Sequence, residues 1–233
     1  MGTIKQGILG GFSGKVGTVV GSTWKSVHYM RALAVSINNP RTQKQQSQRV
    51  KFAKAVDFVK SMTPFLRFGY KGYSTHQSPF NAAVSYIMKH ALKGSGTNIS
   101  IDYSKALVTR GSLMPVLDAT VTVNQSKASF SWTDNSGMGD AVATDSAMLL
   151  AYNKIKRMSV YTMAIATRST GKAELVLPTS WSNDALAIYL GFCNVDATNT
   201  ANSLCLQDTP VDDDSQGGNS GNGDGGKDDD PLG

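Results

Sequence analysis

Apolar positions along the 233 residues follow three rhythms in turn, and each change of rhythm marks an expected change of architecture. The first rhythm is β-like and punctuated by glycine. Gly7, Gly10, Gly11, Gly14, Gly17 and Gly21 fall within fifteen positions. That is too dense for a helix, in which each interior Gly costs about 0.8–1 kcal/mol relative to Ala. Val16, Val19 and Val20 precede the Gly21-Ser22 dipeptide, and Trp24, Val27, Tyr29 and Met30 follow it. β-Branched and aromatic residues on both sides of Gly-Ser predict a hairpin that turns there. The second rhythm is helical. Pro40 biases the residue before it to extended backbone, and Thr42 with Gln45 three residues on forms a capping box. A helix is expected over 42–62, with an apolar stripe of Phe52, Val56 and Val59. Thr63-Pro64 ends or kinks it, and FLRFGYKGYSTHQ reads as a connector broken by Gly69 and Gly72. A second helix is expected from the N-cap Ser78 and Pro79. Phe80, Val84, Ile87 and Ala91 repeat along it at i, i+4, i+7 and i+11, and Gly94 sits at its C-terminal cap position.

From Asn98 the period becomes two: Ile99, Ile101 and Tyr103; Val121 and Val123; Ala128, Phe130 and Trp132; Met148, Leu150 and Tyr152; residues 160–165; Leu175 and Leu177; Leu186, Ile188, Leu190 and Phe192. About seven short strands parted by NQSK, DNSG, RSTGK and SWSND predict a β-sandwich. Trp132 in one strand and a long later strand at 185–193 make its architecture look like an immunoglobulin or fibronectin type III domain. The expected fold class is α+β: an N-terminal Gly-rich β-hairpin and two helices plus an immunoglobulin/fibronectin-like β-sandwich. The expected divisions are a basic hairpin and helical region at 1–97, a sandwich at 98–207 and a disordered acidic Gly/Asp-rich tail at 208–233, too poor in apolar residues to offset the entropy of ordering.

Charge sharpens this division. Residues 1–100 carry +13, residues 101–207 carry 0 and residues 208–233 carry −7. A basic front and an acidic end imply different partners for different surfaces, or a tail that folds back over the front. No run of eighteen apolar residues and no secretory n-region and apolar core are present, so neither a membrane span nor a signal peptide is expected. Synthesis in the cytoplasm is expected. Cys193 and Cys205 are too few for a disulfide framework and read as buried thiols.

Catalytic chemistry is sparse. Gly14-Lys15 resembles the end of a phosphate loop, but Leu9 stands where its first Gly belongs and Val16 replaces the magnesium-binding hydroxyl. Ser13 lacks the second Gly of a nucleophile elbow. His28, His76 and His90 have no nucleophile beside them in sequence, and Glu174 is the only Glu. Residues 134–140 have the flavour of a calcium loop, but Met138 and Gly139 break its order. No cofactor and no metal site are implied, and no enzyme is expected.

The run GKVG, VVG, Trp24-Lys25, Tyr29-Met30-Arg31, then NPRTxxQxxQR and KFA resembles a domain-of-unknown-function family common in Bacteroidota genomes. It is also similar to short N-terminal blocks of some phage virion-associated and prophage proteins. The likeness is tightest over residues 10–53. It implies a two-part layout and an assembly role, and it brings no catalytic residue.

The leading expectation is a non-catalytic structural or assembly protein, incorporated in a virion, that meets a protein partner or itself through its basic N-terminal block. Trp24, Arg31, Arg41, Gln45 and Arg49 are its candidate interface, because Trp and Arg dominate binding hot spots. The alternative is a nucleic-acid-associated protein in which Lys44, Lys51, Lys54 and Lys60 on the basic helix bind phosphates and the acidic tail competes with them.

Overall fold

The computed structural model of this chain describes residues 3–4, 10–24, 27–36, 41–73, 77–96, 98–124 and 126–211. It is a mixed α+β protein, mostly β, and its contacts divide it into two compact units at residues 1–42 and 43–233.

The first unit is one antiparallel sheet in the order β1 (Thr3–Ile4), β2 (Phe12–Val16), β3 (Val19–Trp24) and β4 (Val27–Ala32). The turn from β2 to β3 falls at Gly17-Thr18, where Gly17 has φ +56°. Two-residue hairpin turns with Gly first need such an angle. Gly21-Ser22, the expected turn, lies inside β3 instead, because Gly21 is where the Phe12 ring crosses the sheet. A Cβ there would meet that ring at 2.5 Å. Gly21 is also the one buried residue among those described in this unit.

The second unit starts with α1 (Gln43–Lys60), which begins just after Thr42 as the capping box predicts. Next comes α2 (Thr63–Gly69), with Pro64 in its first turn, over residues the sequence assigned to a connector. Phe65 and Leu66 are buried on it, and that burial makes the segment helical. Then α3 (Pro79–His90) opens on Ser78, whose Oγ accepts from the Asn81 N–H at 3.2 Å. The helix stops at Ala91. Gly94 is not its cap but part of β5 (Leu92–Ser95), which forms a small hairpin with β6 (Asn98–Ile101). At φ +96° a Cβ on Gly94 would lie 2.1 Å from the Asn98 oxygen. Ile99 and Ile101 therefore belong to this hairpin, outside the larger sheets, and Tyr103 lies in a turn.

The remaining strands are β7 (Leu117–Asn124), β8 (Lys127–Thr133), β9 (Ser146–Asn153), β10 (Met158–Thr167), β11 (Lys172–Val176), β12 (Leu186–Cys193) and β13 (Leu204–Asp208). They form a three-stranded sheet, β11-β8-β7, and a four-stranded sheet, β10-β9-β12-β13. β9 and β12 pair in register over their whole lengths and are covered on both faces. On one face Ala147, Leu149, Ala151, Leu186, Ile188, Leu190 and Phe192 share a core with Ala128, Phe130, Trp132 and Leu175 of the other sheet. On the opposite face Met148, Leu150, Tyr152, Ala187 and Tyr189 share a core with Phe58 and Val59 of α1, Phe65 and Leu66 of α2, and Val84 and Ile87 of α3. Strands covered twice read as near-continuous apolar runs, as AMLLAY and LAIYLGF do. The helices thus share a core with strands β9 and β12 across the expected division at 97/98.

A buried cation ties the loops at one end of these layers. Arg168 has a fully buried side chain. Its Nε donates to Asp145 Oδ2 at 3.0 Å, Nη1 to Asn135 Oδ1 at 2.7 Å and Nη2 to the Met114 carbonyl at 2.9 Å. Its guanidinium lies 4.5 Å from the centre of the Phe192 ring, and its carbonyl accepts from Trp132 Nε1 at 2.8 Å. A buried charge is tolerated only when paired and hydrogen-bonded on this scale.

The acidic stretch does not begin as a tail. Asp208 of β13 pairs with Ala187 of β12 and with the Lys154 ammonium, and the Thr209 N–H donates to the Leu186 carbonyl at 3.0 Å. Residues 212–233, the rest of the expected disordered segment, lie outside the described residues. Among the described residues no helix is long and apolar enough to cross a membrane.

Candidate functional site

Register fixes what each face of the N-terminal sheet presents. Trp24 stands opposite Val27, Ser22 opposite Tyr29, Val20 opposite Arg31, and Lys15 of β2 opposite Val20. Opposed residues of antiparallel strands share a face, and residues two apart along a strand do too. Lys15, Val20, Ser22, Trp24, Val27, Tyr29 and Arg31 therefore form one surface, apolar and aromatic at one end and cationic at the other. Trp24 is 65% exposed and Val27 63%.

The other face explains the glycines and His28. The His28 ring lies over Gly11, where a Cβ would come within 2.2 Å of Cγ, and its Nδ1 is 2.9 Å from Thr23 Oγ1. This histidine is a packing residue of β4. His90 ends α3 with its ring 4.7 Å from that of Tyr86, and His76 lies outside the described residues. Gly14-Lys15, the fragment resembling a phosphate loop, lies within strand β2, with Gly14 at φ +107° opposite Gly21.

The five residues expected to form an interface are split between the units. Trp24 and Arg31 share the face just described. Arg41, at φ +41°, precedes α1 and belongs to the same unit as the sheet, whereas Gln45 and Arg49 are exposed positions on α1 in the second unit.

The four lysines proposed for phosphates spread around α1. At about 100° per residue, Lys44 and Lys51 lie within about 20° of each other, Lys54 about 60° further round, and Lys60 near the opposite side. Lys44 and Lys51 border a groove with Gln43, Ser47, Gln48 and Gly96. Lys51 also borders a neighbouring groove of about 650 Å³ between α1 and α3, with Phe52, Val84, Met88 and Lys89 along it. Lys54 belongs to a separate cleft with Asp57, Tyr103, Tyr152, Lys154 and Arg157.

That cleft collects the perturbed side chains of this region. Burial pushes the Tyr103 phenol up to about 12, with Asp208 adding to the effect, and burial also raises Tyr152. The Lys154 ammonium is nearly buried, 4.5 Å from the centre of the Tyr103 ring, and bound to Asp208 and to the Thr209 carbonyl. Arg157 pairs with Asp57 at 3.3 Å. Each buried charge is already matched, so the cleft is a fastening for β13. The cysteines are far apart in register: Cys205 faces Tyr189 and Cys193 bridges to Thr200, and burial raises both thiols, Cys205 to about 11.

Sequence reasoning missed Arg168, Asp145 and Asn135, the most elaborate polar cluster among the described residues. They sit in or beside turns, where no periodicity marks a side chain as buried. Among the described residues no three His, Cys, Asp or Glu side chains are grouped as metal ligands.

No curated protein matches the chain. A family profile matches residues 11–207, which run from just before β2 to the penultimate residue of β13 and so take in both units. On that match the chain belongs to the DUF6266 family, a family of unknown function.

Proposed function

We propose that this is a non-catalytic structural or assembly protein that docks onto a larger assembly, a phage or prophage virion, through its N-terminal sheet. The observation that carries the reading is the Trp24-Val27-Tyr29-Arg31 surface, on a sheet with almost no interior of its own. Two to four strands without a buried face are marginal alone in water. A Trp and an Arg on one such face form the kind of anchor that dominates binding energy once a partner covers it. The second unit needs no such help, because its layers enclose two cores.

We also read the seven strands β7–β13 as an immunoglobulin/fibronectin-like sandwich. Supporting this are the split into three and four strands, the third strand of the set pairing with the sixth across the centre of its sheet, and Trp132 packed edge-on at 5.4 Å against Phe192 between the sheets. The helices on the outer face of the four-stranded sheet are an addition to such a domain.

The alternative, nucleic-acid binding through the basic helix, draws on one observation, the groove shared by Lys44 and Lys51. Light scattering at low and high salt, with and without duplex and single-stranded DNA, separates the two readings. A large, salt-tolerant oligomer that ignores DNA and is dispersed by Trp24→Ala supports assembly. A monomer that gains mass only with DNA at low salt sinks that reading and promotes the lysines.

A further inference from the structure

We infer that the free edge of β4 is a strand-addition site for an extended acidic segment of a partner protein, in which carboxylates alternate with apolar side chains. The inference rests on the docking role of the N-terminal sheet and names the chemistry of the partner.

The first ground is the edge itself. β4 ends the sheet order β1-β2-β3-β4, and no further strand lies beyond it among the described residues. All six of its side chains, VHYMRA, are exposed, with Met30 71% so. This edge strand is free of Pro, Gly and bulges, and with Arg31 as its one charge it carries few of the devices that keep edges from pairing.

The second ground is which backbone groups face outward. The Leu33 N–H donates to the Thr18 carbonyl at 2.7 Å, so Thr18 and Leu33 are a hydrogen-bonded pair closing the β3–β4 ladder. Antiparallel ladders alternate bonded and non-bonded pairs. Val20/Arg31, Ser22/Tyr29 and Trp24/Val27 are then the bonded pairs of the register, and Arg31, Tyr29 and Val27 spend their amides on β3. The N–H and C=O groups of His28, Met30 and Ala32 point to the open side, a repeat that matches an incoming strand.

The third ground is charge. Residues 1–42 hold Lys5, Lys15, Lys25, Arg31 and Arg41 and no Asp or Glu. A strand added beside β4 lays every second side chain on the face that carries Lys15 and Arg31 and the others beside His28, Met30 and Ala32, so carboxylates fit the first face and apolar side chains the second. A second copy of the chain is a poorer occupant, since it brings together two sheets that both lack carboxylates. Residues 212–230 of this chain are acidic but hold no β-branched or aromatic residue, and so are poor strand formers.

The test uses the full chain and two labelled ten-residue peptides, one alternating Val with Glu and one alternating Val with Lys, followed by fluorescence anisotropy. The Glu peptide is expected to bind at least tenfold tighter than the Lys peptide at low salt, with the gap narrowing at high salt. Met30→Pro removes one outward N–H without touching the β3 ladder and is expected to weaken binding at least tenfold. Met30→Thr, which keeps that N–H, is expected to bind like the parent. Unchanged amide exchange of β2 and β3 in Met30→Pro shows that the loss is local. Equal binding of both peptides, or a Met30→Pro chain that binds as well as the parent, overturns the inference. So does a chain that dimerises through this edge and excludes the peptide, which makes a second copy the occupant. If the peptides fail while Trp24→Ala still disperses the assembly, the strand-addition site falls and the docking role stands.

Discussion

The paired strands β9 and β12 and the sheet of β3 and β4 are built from similar residues and differ in what covers them. Leu149, Leu150, Ile188 and Tyr189 are fully or almost fully buried, because helices lie on one face of their sheet and a second sheet lies on the other. Each such side chain contributes about 1.5–3 kcal/mol by leaving water. Val20, Trp24, Val27, Tyr29 and Met30 have the same strand-forming chemistry, yet the chain supplies little to cover them. The lesson is that strand propensity gives a sheet its local form, and only burial gives it stability. Apolar residues left on an uncovered sheet are spare contact area for another molecule.

The comparison breaks most visibly at Arg168. Arg168→Leu strands Asp145 and Asn135 in the interior and is expected to cost about 3–5 kcal/mol of stability, read from urea unfolding. Next is Leu149→Ala, expected to cost about 2–5 kcal/mol because the cavity opens between two rigid sheets.

A pH series tests the same unit without mutation. Burial holds Tyr103 up to about 12 and Cys205 up to about 11, above ordinary values of 10.0 and 9.0. The folded state keeps protons that the unfolded state releases, so their contribution is complete below about pH 9 and is lost as pH climbs towards 12. Urea midpoints are expected to fall steadily from pH 9 to 11.

Smaller still is Ser78→Ala, which removes the acceptor for the Asn81 N–H and is expected to cost about 1 kcal/mol. Smallest is Trp24→Ala. On an exposed strand it is expected to change unfolding by no more than about 0.5 kcal/mol, while costing the assembly at least about 2 kcal/mol of association energy. Together these last two variants sharpen the contrast between a residue that serves the fold and one that serves a partner.

What was legible in the sequence follows the same physical line. The start of α1 after Thr42 and the start of α3 at Ser78-Pro79 were readable, because caps are local chemistry. The strands at β7–β12 were readable from their period of two. The layering was not: Met148, Leu150 and Tyr152 alternate with Ala147, Leu149 and Ala151, so a strand with two apolar faces reads like one with a single apolar face and small residues between. α2 was hidden by Gly69 and Pro64, which read as breakers. Gly69 is in fact the point where the helix end meets residues 108–109, with a Cβ placed 2.8 Å from the Val108 oxygen. Asp208, the last residue of β13, reads as the start of the tail because it looks like part of an acidic run, whereas Lys154 holds it in the sheet. Of the candidate site, Trp24 and Arg31 were named without any way of knowing that they share a face. That fact depends on the turn lying at Gly17-Thr18, since a turn at Gly21-Ser22 would give a different register.

Hydrogen exchange on the full chain tests most directly the claim that stability resides in the doubly covered strands while the N-terminal sheet is left for a partner. At a concentration where the chain is monomeric, the amides of β9 and β12 are expected to exchange at the rate of global unfolding, and those of β3 and β4 orders of magnitude faster. Addition of a genuine partner is expected to slow only the second group. Equal protection of the two sheets in the monomer would contradict the account, because the N-terminal sheet would then be stabilised by the chain itself.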